Sequence, residues 1–269
     1  MRDVLSRRGF LRFGALTLPV GGTAYQLAGP PDPPDSPVPD IYPRQSPDMV
    51  REMVAVSHGN LTRVRELVEA HPSLARAAWD WGFGDFEDAL GAASHVGNRA
   101  IAEYLIARGA RPTLFSATML GQLDVVKQFI AANPGAQRIP GPHSISLLSH
   151  AKAGGPAAAQ VLEFLEALGD AGGPASAPIS ADELSSLTGR YVFGRGPTEW
   201  IDVTLERGQL SFTRAGMIAR GLIHVGDRAF HPMGAAAVRI RFTSVNGANG
   251  SMNLAIHDPT LVLTAVRKS

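Results

Sequence analysis

The chain has 269 residues, with 25 basic and 24 acidic side chains and no cysteine. Without cysteine there is neither a disulfide framework nor a lipid-anchored cysteine, and the near-balanced charge offers no clustered basic face for nucleic acid. The length suffices for two hydrophobic cores.

The start reads Ser6-Arg7-Arg8-Gly9-Phe10-Leu11-Arg12, followed by a modest apolar stretch from Phe13 to Ala28 that Pro19 and several glycines interrupt. That stretch is too short and too weak for a membrane span. The paired arginines ahead of a Phe-Leu pair and a further basic residue resemble a twin-arginine export signal. The resemblance implies targeting through Arg7, Arg8, Phe10 and Leu11, a signal peptide over 1–28, and passage of an already folded protein. It also implies a periplasmic or extracellular destination and no stable membrane span after cleavage. Gly22-Thr23-Ala24 supplies the small residues that a cleavage site after Ala24 requires. Four arginines and one aspartate in the first 24 residues turn a remainder near −2 into the overall +1. Residues 29–47 carry eight prolines. They forbid a helix, favour extended polyproline II and read as a spacer.

Residues 48–170 repeat a short grammar. Gly97 is followed by Ile101, Ala102, Leu105 and Ile106, and Gly121 by Val125, Val126, Phe129 and Ile130. Gly59 is followed by Val64, Leu67 and Val68. Offsets of four, five, eight and nine form one apolar stripe of a short helix, and the glycine suits a tight turn with positive φ. Leu90 and Ala93 precede Gly97 by seven and four; Leu114 and Ala117, then Leu147 and His150, precede Gly121 and Gly154 likewise. Each unit is then a helix–turn–helix that must stack on its neighbours. This grammar resembles the ankyrin repeat, and Gly121 to Gly154 spans that family's 33 residues. The spacings of 38 residues from Gly59 to Gly97 and 24 from Gly97 to Gly121 depart from it, implying an enlarged loop and a missing β-hairpin finger. The resemblance implies a solenoid that binds a protein partner on its concave face.

The enlarged loop holds Trp79-Asp80-Trp81-Gly82-Phe83-Gly84-Asp85-Phe86-Glu87-Asp88. Aromatics beside acids suit an interface with a basic partner, so Trp79, Trp81, Phe83, Asp85 and Phe86 are the candidate partner-binding residues. Two alternatives stand beside this reading. The tryptophans pack internally, or Asp85 and Glu87 favour the N-terminus of the next helix.

A Gly-rich linker over 171–183 precedes a change to period-two alternation in 184–269. About eight short strands, separated by turn signals at Arg207-Gly208, Val225-Gly226-Asp227, Asn246-Gly247, Asn249-Gly250 and Asp258-Pro259, predict an antiparallel meander or small barrel. Leu187-Thr188-Gly189-Arg190-Tyr191, Ile201-Asp202-Val203 and Val238-Arg239-Ile240-Arg241-Phe242 loosely resemble the β domain appended to some β-lactamase-like serine hydrolases. That resemblance implies an accessory or ligand-holding role. The expected fold class is therefore α + β in two domains.

No tight metal pattern occurs among the eight histidines, and Ser94, Ser116 and Ser149 lack a lysine three residues on. No phosphate loop or nucleophile elbow is present in the sequence. The expectation is an exported, non-enzymatic protein-binding scaffold with no cofactor, metal or catalytic residue. The alternative is a small-ligand binder or hydrolase-associated regulator acting through the β domain.

Overall fold

A computed structural model describes residues 40–173, 175–244, 252–259 and 261–268. The twin-arginine segment, most of the proline-rich linker and the two Asn-Gly turn signals lie outside the described residues. From Arg44 onward the chain forms one compact unit.

Four helix pairs come first: α1 (Pro47–Val56) with α2 (Leu61–Ala70), α3 (Ala89–His95) with α4 (Arg99–Ala107), α5 (Leu114–Met119) with α6 (Leu123–Ala132), and α7 (Leu147–Ala153) with α8 (Ala159–Leu168). Side chains satisfy the first orphan amides at most starts. Asn60 and Asn98 cap α2 and α4, Thr113 and Ser116 form a capping box on α5, and Ser146 caps α7. The predicted stripe is buried where the repeat is regular: Val64, Leu67 and Val68 in α2, and Ile101, Ala102 and Leu105 in α4. In α6 only one of its four residues is, with Ile130 half-buried. Val126 is buried while Val125 and Phe129 stay exposed, because the helices packed on α6 are α5 and α8.

The turn glycines let neighbouring units touch backbone to backbone. Gly121 has φ +75°, and a Cβ there would lie 2.0 Å from the Ala157 carbonyl oxygen. Along the row of first helices, α3, α5 and α7 each touch the other two. A linear row would separate the first from the third, so the described residues do not show a regular solenoid.

Between α2 and α3 the chain makes a two-stranded hairpin, β1 (Ala78–Asp80) with β2 (Phe86–Asp88). After α8, a short helix α9 (Ala181–Ser186) leads into eight antiparallel strands: β3 (Gly189–Val192), β4 (Trp200–Glu206), β5 (Gln209–Arg214), β6 (Arg220–Gly226), β7 (Ala229–Pro232), β8 (Arg239–Ser244), β9 (Met252–Asp258) and β10 (Leu261–Arg267). They follow one another in order and close through β10 against β3, giving a barrel. Closure removes the sheet edges. The predicted Arg207-Gly208 turn is a two-residue hairpin with positive φ at both central residues, the geometry that matches strand twist, and the signal at Val225-Gly226-Asp227 gives such a turn slightly further on, at Asp227-Arg228. Tyr191, Phe212, Phe230, Ile240, Phe242 and Leu254 help fill the barrel interior. The Tyr191 hydroxyl donates to the Leu187 carbonyl at 2.8 Å, and burial pushes its pKa up to about 12. Among the described residues no helix is long and apolar enough to cross a membrane.

Candidate functional site at the junction of helices and barrel

The hairpin between α2 and α3 decides where the acidic loop residues go. Its alternation pairs Trp79 with Glu87 and Asp80 with Phe86, so Glu87 and Phe86 leave the ribbon on opposite faces. Glu87 is fully buried and Phe86 is 66% exposed. Asp88, next along, accepts from the Gly91 amide and caps α3, where burial pushes its carboxyl up.

Asp85 ties three segments together. Its carboxylate accepts from the His143 backbone amide at 2.9 Å, from His143 Nδ1 at 2.6 Å and from the Arg220 guanidinium of β6 at 3.0 Å. The same guanidinium nitrogen donates to the Met233 carbonyl, and the Gly234 amide donates to Ser144 Oγ at 2.7 Å. These bonds fasten the 142–144 turn and the barrel to the loop. They hold His143 and Ser144 in left-handed backbone (φ 57° and 58°), which costs energy for residues other than glycine. Burial alone would raise the Asp85 carboxyl. The His143 hydrogen bonds, with the His143 and Arg220 charges, bring it below its ordinary value.

Around Glu87 four donors converge. Trp81 Nε1 donates to Oε2 at 2.9 Å; His143 Nε2 and His58 Nε2 lie 3.4 Å and 3.7 Å from the same oxygen. His95 Nδ1 lies 3.0 Å from Oε1, but the pair is poorly aligned and neither atom is hydrogen-bonded. Burial by itself pushes the Glu87 carboxyl up, and the imidazoles of His143 and His95 outweigh it and hold the pKa at about 2. Burial likewise opposes a charge on His143, yet Asp85 and Glu87 raise its pKa to about 9. Two carboxylates thus face two cations, His143 and Arg220, at neutral pH. A file of imidazoles continues behind them: His95 sits 4.9 Å from His58 and 6.5 Å from His150, ring centre to centre. His150 is fully buried, and burial brings its pKa down to about 4.

Above this network lies a cavity of about 390 Å³. Ala55, Ile218, Ala219 and Met233 give it an apolar wall; His58, Trp81, His143 and Arg220 give it a polar floor. A second groove shares Trp81, Ile218 and Arg220 and continues between Phe83 and Met217.

The structure spreads the candidate partner-binding residues over different environments. Trp79 and Trp81 pack on the helical core, Trp81 and Phe83 border the grooves, Asp85 is buried in the junction, and Phe86 faces out. The helix N-terminus expected to draw Asp85 and Glu87 is capped by Asp88 instead, while Asp85 and Glu87 turn to the histidines and Arg220. His224 and His231 do not meet, because the register pairs them with Phe230 and Ile223 at successive positions. Each instead bonds a carbonyl oxygen, of Ala177 and Pro232.

Sequence reasoning missed the grouping of His58, Glu87, His95, His143 and Arg220. One signal was available: His58 and His95 stand at or just past the ends of the first helices of the first two units and His150 lies within that of the fourth, so packing of these helices brings them to one side. Comparison with protein-family models, with curated proteins and with solved structures found no match.

Proposed function

We propose that this protein binds a small, mostly apolar molecule in the junction cavity, through one or two polar atoms directed at the Trp81, His58 and His143 side of the floor. The supporting observation is the cavity itself, whose apolar wall and polar floor sit on ion pairs that are already formed. Its volume lies near the lower end of the range for small-molecule sites, and a pre-formed floor lowers the ordering cost of binding. This keeps the non-enzymatic reading of the sequence and moves the ligand from the barrel interior, which side chains fill, to the junction. The twin-arginine-like start supports action outside the cytoplasm. The glycine turns and asparagine caps support reading the helix pairs as degenerate ankyrin-like units.

Ile218→Trp tests the cavity. Ile218 is 60% exposed, so the larger ring blocks the opening at little cost to the fold. A compound found by thermal-shift screening should stabilise the wild type by about 2.7 kcal/mol at a hundred times its Kd. It should leave Ile218→Trp unmoved. Equal stabilisation of both proteins would place the ligand elsewhere.

A protein-binding role keeps one observation in its favour, the exposure of Phe86 and of Phe83 at 66% and 38%. Cross-linking capture that is lost in a folded Phe83→Ala, Phe86→Ala double variant, and retained in Ile218→Trp, would favour it over the cavity.

A further inference from the structure

We propose that His58, Glu87 and His143 form a site for one divalent transition-metal ion, with zinc the ion their chemistry suits best. The three donor atoms all lie within 4.8 Å of one another. The separations to Glu87 Oε2, 3.4 Å from His143 Nε2 and 3.7 Å from His58 Nε2, are too long or too poorly directed to be hydrogen bonds. They match what a metal needs: bonds of about 2.0–2.1 Å in tetrahedral geometry set ligand atoms about 3.3–3.4 Å apart. The two imidazole nitrogens lie within 4.8 Å of each other, against the about 3.3–3.4 Å required, so His58, the more exposed ligand, moves inward to complete the geometry.

The outer contacts point the same way. A metal-binding imidazole usually donates its other ring nitrogen to a carbonyl or carboxylate, which fixes the ring and leaves the second nitrogen as the donor to the ion. Both histidines donate in this way, and His143, a cation without metal, gives up its Nε2 proton to solvent when the ion binds. His58 Nδ1 faces the Ala55 carbonyl at 3.0 Å, and His143 Nδ1 faces the Asp85 carboxylate at 2.6 Å. Both Nε2 atoms are therefore left beside one oxygen of a fully buried carboxylate, which Trp81 Nε1 orients at 2.9 Å. The remaining oxygen, Glu87 Oε1, is buried without a hydrogen-bond partner. Two imidazoles and one carboxylate, with no sulfur, suit zinc among the common ions.

Three protein ligands leave a coordination position open. Because His58 and His143 also line the cavity, that position faces it, where an oxygen or nitrogen of a bound molecule can complete the shell. The metal site stands on its own side chains and does not depend on the cavity being used.

The test is a titration of chelator-treated full-length protein with Co²⁺, followed by displacement with Zn²⁺. We expect one Co²⁺ per chain, the intense visible bands of a four-coordinate ion, and their loss on adding Zn²⁺. His58→Gln should weaken uptake by at least about tenfold while leaving the metal-free unfolding midpoint unchanged. His143→Gln should weaken it too; because that side chain also bonds Asp85, His58→Gln is the decisive variant. Ile218→Trp should bind Co²⁺ like the wild type even where it has lost the small molecule, which separates this proposal from the cavity reading. No saturable uptake at micromolar ion, or undiminished uptake in His58→Gln, would overturn it.

Discussion

Asp85 sits where one buried carboxylate answers two half-buried cations, and the energetics of such a site are asymmetric. Removing the carboxylate charge leaves two partly shielded cations without their shared carboxylate, so Asp85→Asn should cost about 1–3 kcal/mol in urea unfolding. Gly234 guards the same spot from the barrel side. Its φ is +81°, and a Cβ there would fall 2.2 Å from the Asp85 carboxyl carbon. Gly234→Ala should therefore lose more than about 2 kcal/mol, whereas Phe86→Ala, two residues from Gly84 but exposed, should stay within about 0.5 kcal/mol. A large loss for Phe86→Ala with none for Gly234→Ala would place the load elsewhere. His150 supplies a pH dependence. Burial keeps it neutral in the fold to a pKa of about 4, against 6.5 in an unfolded chain; the Ser146 carbonyl on α7, His95 on α3 and Glu87 on β2 modify that shift. The unfolded state alone takes up the proton between these values, so stability that is full above pH 6.5 declines as pH falls toward 4. His150→Gln should flatten that part of the curve, measured by unfolding at fixed pH with a chelator present. An unchanged slope would assign it to other groups. None of this was legible at the level of single residues. Asp85 reads as an interface acid or as one favouring the next helix N-terminus, and the partners that bury it lie 58 and 135 residues away, at separations that leave no local pattern.

At the scale of elements the sequence was more informative, because periodicity is a local property. Alternation placed the β domain, and the Arg207-Gly208 signal marks a real hairpin turn. The stripes after Gly59 and Gly97 became the buried faces of α2 and α4. The turn glycines turn out not to be equivalent, which their shared position in the repeat could not reveal. Gly121→Ala combines a positive φ with a clash against the Ala157 carbonyl, and should cost more than about 2 kcal/mol. At Gly59 no atom lies within 4 Å of an added Cβ and φ is not in the left-handed region. There Ala should be neutral, or stabilise by up to about 1 kcal/mol by restricting the unfolded chain. Equal penalties at the two sites, read from urea midpoints, would contradict this account of the turns. The mutual contact of α3, α5 and α7 was also hidden, since the short spacing between Gly97 and Gly121 signals a missing finger but not how the helices regroup.

At the scale of the whole molecule, the helices and the barrel meet over a small set of polar bonds, and the cavity and the imidazole file both depend on that meeting. Apolar patterning finds two cores and stops there; what joins them is charge pairing between residues distant in sequence. The central claim is that Asp85 locks the two halves into one body. Hydrogen exchange followed segment by segment through urea unfolding tests it most directly. The wild type should lose protection in α3, α7, β6 and β7 at one common midpoint. In Asp85→Ala the α3 and α7 segments should open at lower urea than the β-barrel core. Separate midpoints already in the wild type, or a single unchanged midpoint in Asp85→Ala, would contradict a locked junction.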